Sequence, residues 1–113
     1  MVMIKNREEI EKKVRSGVSR YLDENFVTTG VPMHFMIDSE SKEHIINIGT
    51  AIMLNRLGVN TYPGSFVQAV LDNDLHGAFS RADNINSQVM KFYVTMMYNL
   101  GINVQIETEV EGD

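Results

Sequence analysis

The sequence contains no cysteine, which removes disulfides, thiolate metal sites and cysteine nucleophiles from consideration at once. Nothing in it approaches the run of roughly 18 apolar residues that a membrane-spanning helix requires. The opening stretch, Met1-Val2-Met3-Ile4-Lys5-Asn6, has no apolar core of a secretory signal, and charges follow directly. An excess of positive charge is lacking too. Ten Lys and Arg stand against fifteen Asp and Glu, for a formal net charge of -5 and a pI of about 5.1. A duplex nucleic-acid binder carries a basic stripe that neutralises phosphates. The nearest thing here is Lys5, Arg7, Lys12, Lys13, Arg15 and Arg20, interleaved with Glu8, Glu9 and Glu11. That pattern describes a solvated helix face. The expectation is a soluble, cytoplasmic chain with neither a membrane nor duplex nucleic acid as partner.

What is present is ordinary globular composition: 43% hydrophobic and 22% charged over 113 residues, enough for one domain with a core and too little for two. The whole chain, 1–113, therefore reads as a single domain. Asn6 with Glu9 suggests a capped start, and Ile10, Val14, Val18, Tyr21 and Leu22 follow at helical spacing to about Asp23. Residues 24–38 read as a connection, with Met33–Ile37 alternating enough for a short extended piece. A second helix is expected from about Lys42 to Leu57. Its two apolar stripes (Ile45, Ile48, Ile52 and Ile46, Met53, Leu57) predict a central position, with Gly58 as its stop. Ser65 is the expected cap of a third helix, which Asp72-Asn73-Asp74 interrupts before Leu75, Phe79 and Ala82 resume the spacing. A last long helix is expected from Asp83 or Asn84 to Leu100, with a main apolar face through Phe92, Tyr93 and Met96. Met90, Val94 and Met97 form a second stripe. Beyond Gly101, Ile102, Val104, Ile106, Thr108 and Val110 alternate with polar residues, a strand pattern. The fold class expected is mainly α, a compact bundle of about four helices with a small β element from the tail at 102–113. Because a lone strand leaves its edge unpaired, and because the last helix has a second stripe, a homo-oligomer is expected.

Several constellations bear on chemistry. Asp72, Asp74, Gly77 and Asp83 approach calcium-loop spacing, but His76 stands where an oxygen ligand belongs and helical spacing runs through the supposed loop. Helix caps explain these residues better. His34, His44 and His76 show no paired spacing for zinc, and no metal or cofactor is expected. No nucleophile elbow, phosphate loop or dinucleotide fingerprint is present. Asp74, Asp83 and His76 are the acid–base candidates if the fold unites them. No catalytic residue is assigned, and a binding protein is favoured over an enzyme. The turn Pro63-Gly64-Ser65 opens a helix whose free N–H groups favour an anion, with Arg81 as charge partner. Tyr62, Phe66, Tyr93 and Tyr98 are rings for stacking on a base, and Asn73, Asn86 and Asn99 are amides for reading its edge, although rings at helical spacing are usually core and asparagines near helix ends usually caps. Arg81 with Asp74 or Asp83 is the competing structural reading, an ion-pair clamp.

The string Tyr62-Pro63-Gly64-Ser65-Phe66-Val67-Gln68-Ala69-Val70-Leu71-Asp72-Asn73-Asp74-Leu75, continuing through Ala78-Phe79-Ser80-Arg81-Ala82-Asp83, Asn86, Phe92-Tyr93 and Tyr98-Asn99, resembles a family of small phage and prophage proteins of unassigned function. The resemblance covers about the central third. Family members often continue into a tail bearing proline and tryptophan, whereas this chain has no tryptophan and ends in an acidic alternating tail. The resemblance implies a phage-encoded protein of the host cytoplasm. By analogy of genomic context, it implies an anti-defence protein that sequesters a small, anionic, nucleotide-like signal. The ligand-binding set expected is Gly64, Ser65, Asn73, Asp74, Arg81, Asp83, Asn86, Tyr93, Tyr98 and Asn99. The alternative is an interaction module for a host or phage protein, with an enzyme that degrades a nucleotide signal third.

Overall fold

The computed structural model describes residues 7–59 and 64–100. Among them seven α-helices follow one another: α1 Arg7–Asn25, α2 Met33–Ile37, α3 Ser39–Arg56, α4 Ser65–Leu71, α5 Leu75–Arg81, α6 Asn84–Gln88 and α7 Met90–Asn99. The chain is mostly helical and packed around one core, as the apolar periodicity predicts, but in seven segments rather than about four. No strand occurs among the described residues. The alternating tail at 102–113 lies outside them, as do Asn6, Tyr62 and Pro63.

In α1, Ile10, Val14, Val18 and Leu22 are buried along one stripe, together with Gly17. The helix runs to Asn25 rather than Asp23. Its end is tied off where the Thr29 hydroxyl donates to the Asn25 carbonyl at 2.6 Å. The segment 33–37, expected to be extended, is helical. Pro32 sits at the N-cap with φ -61 and ψ 140, which suits proline and needs no N–H there. Only Phe35 is buried, so five alternating residues gave a period too short to separate strand from helix.

Asp38 caps α3 by accepting from the Ser41 N–H at 3.1 Å and the Ser41 hydroxyl at 2.6 Å, so the helix begins three residues before the expected Lys42. The Ser41 hydroxyl first, and its N–H second, hold the Asp38 carboxyl below its ordinary range. α3 is the central element, packing against α1, α2, α4, α6 and α7. Ile45, Ile46, Ile52, Met53 and Leu54 are buried on both its sides, the arrangement its two apolar stripes predict. At the crossing with α1 the backbones approach closely: a Cβ on Gly49 would lie 2.8 Å from Val18 Cγ1. Gly58, at φ +86, follows the helix end.

The second half is a chain of short helices. Asn73, at φ +62, is in the left-handed region that asparagine tolerates better than most residues. It turns α4 into α5. Asp74 caps α5 through the Gly77 N–H and Asp83 caps α6 through the Asn86 N–H. At Val89 (φ -116, ψ 23) the expected last long helix breaks into α6 and α7. Phe92, Tyr93 and Met96 are fully buried, and so, nearly, are Met90 and Met97. Of the second stripe, the two methionines are taken up by the chain's own core, while Val94 stays 37% exposed.

Candidate functional site

Two polar clusters hold the residues that the sequence singles out, and they differ in kind. The first is internal. The Tyr93 hydroxyl donates to Asn86 Oδ1 at 2.6 Å, and both residues are almost wholly buried. Asp83 accepts from the Asn86 N–H at 2.7 Å. Its other oxygen lies 2.9 Å from Nε2 of His44 on α3, off the line of a hydrogen bond and ionic when the imidazole is protonated. Burial first, and the nearby Asp83 carboxylate second, push the Tyr93 hydroxyl well above its ordinary range. The cluster ties α3, α6 and α7 together.

This corrects part of the expected binding set. Tyr93 cannot stack on a base, because its ring packs edge-on to Phe66 at 5.9 Å and is closed off from solvent. Asn86 spends its carbonyl on Tyr93. Asp83 spends one oxygen as a cap and the other beside His44. These three residues are brought together, but as internal structure.

The second cluster is on the surface, between α4 and α5. Ser65, Gln68, Ala69 and Asp72 form one stripe of α4, at spacings of three, four and seven. Asp74 and Arg81 lie seven apart on the facing stripe of α5. Together they line an open groove of about 210 Å³. Ser65, Asp74 and Arg81, named from sequence, thus share a site that the sequence alone did not assemble. Gly64 occupies the N-cap position of α4, with Ser65 its first helical residue, so the serine hydroxyl is not the expected cap. It has no hydrogen-bond partner among the described residues.

The competing reading, an ion-pair clamp, is not seen among the described residues. Arg81 Nη1 donates to the Gly77 carbonyl at 3.1 Å, and among the described residues the guanidinium makes no ion pair with Asp74 or Asp83. Asp74 Oδ1 is held by the Gly77 N–H at 2.9 Å. Asp72 accepts from Gln68 Nε2 at 3.0 Å. Gln68 and Asp72 were missed as site residues, though their four-residue spacing, outside the apolar face of Phe66, Val67 and Val70, was the signal that placed them.

Three residues of the expected set lie elsewhere. Asn73 borders a smaller apolar recess of about 30 Å³ with Val70, Leu75, Ala78, Met90 and Val94. Tyr98 is 61% exposed and lies beneath the Arg56 guanidinium, 5.4 Å from the ring centroid. Asn99 ends α7 beside it. No ring lines the groove. Residues 75–81, which the calcium-loop spacing would require as loop, are helix, and among the described residues no group of three His, Asp or Glu is arranged to hold a metal ion. No helix among them is long and apolar enough to cross a membrane. No family model, curated protein or solved structure matches this chain.

Proposed function

We propose that this chain is a non-enzymatic binding protein that sequesters a small nucleotide-like molecule, with the α4–α5 groove as its site. The observation that carries the reading is Arg81, a guanidinium without an ion-pair partner among the described residues, in a groove that also presents Ser65 and Asp74. A charge-assisted bond from arginine suits a phosphate. The anti-defence setting, in which binding without turnover suffices, rests on analogy of genomic context alone. The enzyme reading is weaker on geometry. Asp74 and Asp83 are engaged as caps of successive helices, and His76 makes no hydrogen bond or ion pair among the described residues. With no ring in the groove, recognition falls on the phosphate and sugar of a nucleotide rather than on its base.

Calorimetry against cyclic and ADP-ribose-type nucleotides tests this. Arg81→Ala should weaken binding by one to two decades, at about 1.4 kcal/mol per decade, while Lys12→Ala on the exposed face of α1 should leave it unchanged. Absence of heat from every nucleotide, or equal affinity for wild type and Arg81→Ala, ends the reading.

A second reading, association with a protein, has its own observation. Leu75, Phe79 and Val94 are 64%, 47% and 37% exposed, and Leu75 and Phe79 share one side of α5, four residues apart. Large apolar groups grouped at a surface mark contact sites more often than singly scattered ones. A second copy of this chain is the partner proposed, because closed pairing of two like faces covers such a patch on both copies at once.

A further inference from the structure

The floor of the α4–α5 groove contains an acid and a base that are held close without meeting. A Cβ built on Gly77 would lie 2.2 Å from Asp74 Oδ2 and 2.7 Å from Arg81 Nη1, so both groups crowd the space where this residue has no side chain. Yet they do not come within ion-pairing distance of each other. The reason is local. Asp74 is fixed through its other oxygen to the Gly77 N–H, and Arg81 through Nη1 to the Gly77 carbonyl, so the two ends of one residue's backbone hold them on either side of it. Asp74 Oδ2, Arg81 Nη2 and Arg81 Nε have no hydrogen-bond partner among the described residues.

The charge of the groove bears on what can enter it. Asp72 and Asp74 outnumber Arg81, so a bare anion drawn to the guanidinium also faces two carboxylates. A molecule that carries its own donor beside the anionic group converts one of those carboxylates from a repulsive neighbour into an acceptor. We infer that the Asp74–Arg81 pair flanking Gly77 selects small molecules that carry a hydrogen-bond donor beside an anionic group, placing a phosphate or carboxylate on Arg81 and an adjacent amine or hydroxyl on Asp74 Oδ2. This rests on the proposed binding role of the groove and adds the second recognition arm, which the nucleotide reading would fill with sugar hydroxyls.

The probes are inorganic phosphate, ethanolamine and O-phosphoethanolamine, which joins the other two through a two-carbon link, each titrated into the full chain and followed by amide NMR shifts. O-phosphoethanolamine should bind at least tenfold tighter than phosphate, with the largest shifts at residues 74–81. Asp74→Asn keeps a side-chain oxygen for the Gly77 N–H but removes the charge, so it should erase that advantage and leave phosphate binding no weaker. Gly77→Ala places a methyl against this pair and should abolish binding of both. That methyl also crowds the Asp74 cap of α5, so loss in that variant counts only with unchanged dispersion of the amide spectrum, and Asp74→Asn carries the test where the dispersion changes. Equal affinity for phosphate and O-phosphoethanolamine, or an advantage that survives Asp74→Asn, overturns the inference while leaving the Arg81 groove standing. No shift with either phosphate-bearing probe overturns both.

Discussion

Tyr93 joins Asn86 across the break at Val89, and its neutral form is the one the fold accommodates. Phenolate formation in the buried site is opposed by burial and by Asp83, so the folded-state pKa lies above the unfolded value of 10.0. A group raised in this way contributes stability that is complete below the unfolded pKa, and that contribution is lost as pH climbs above about 10. Two outcomes are expected from urea unfolding of wild type and Tyr93→Phe. At neutral pH the variant should lose about 1–3 kcal/mol, because Asn86 Oδ1 is left buried without a donor. Above pH 10 the wild type should lose stability more steeply than the variant, and parallel slopes would refute the assignment. The place of Tyr93 in the core was legible, since Phe92, Tyr93 and Met96 fall on the main apolar face. Its hydroxyl partner was not, because a seven-residue spacing across an unforeseen break in the helix carries no periodic signal.

At the level of elements, helix existence followed from apolar period and helix ends from chemistry more specific than the period. The stripes of α1 and α3 placed the two longest helices and the central position of the second. The joints at 72–74 and at 89, with the short helix at 33–37, raise the count of segments from four to seven. The first was legible from Asp72-Asn73-Asp74, whereas the second was not, because Val89 is apolar, keeps the spacing and bends the chain only under the packing of its neighbours. The groove between α4 and α5 was half legible, its residues named singly but its pairing of two stripes dependent on the turn at Asn73. The α1–α3 crossing gives the sharpest test of element packing. Val18 is fully buried and β-branched, so it yields little to a methyl on Gly49. Overpacking costs about 1–3 kcal/mol, against a gain of up to about 1 kcal/mol in helix propensity. Gly49→Ala should therefore melt lower by roughly 5 °C, on a scale of about 4–8 °C per kcal/mol for domains of this size. A melting temperature equal to or above wild type by calorimetry would mean that the helices separate easily.

Over the whole molecule, the acidity that excludes duplex nucleic acid is unevenly distributed. Glu107, Glu109, Glu111 and Asp113 supply four of the carboxylates beyond the described body. The apolar side of α5 is expected to drive pairing of two copies against the repulsion of a net charge of -5 on each. Light scattering at micromolar concentration should give a dimer for the wild type and a monomer for Phe79→Glu. A monomeric wild type would remove the second reading and leave the groove as the only proposed surface. The cluster of His44, Asp83, Asn86 and Tyr93 has a consequence on the same scale. Tyr93 donates to Asn86, Asp83 caps α6 at the Asn86 N–H and stands beside His44, and the four come from both halves of the sequence. Exchange at any one of the four is therefore expected to be felt at α3, α6 and α7 together rather than at one helix alone.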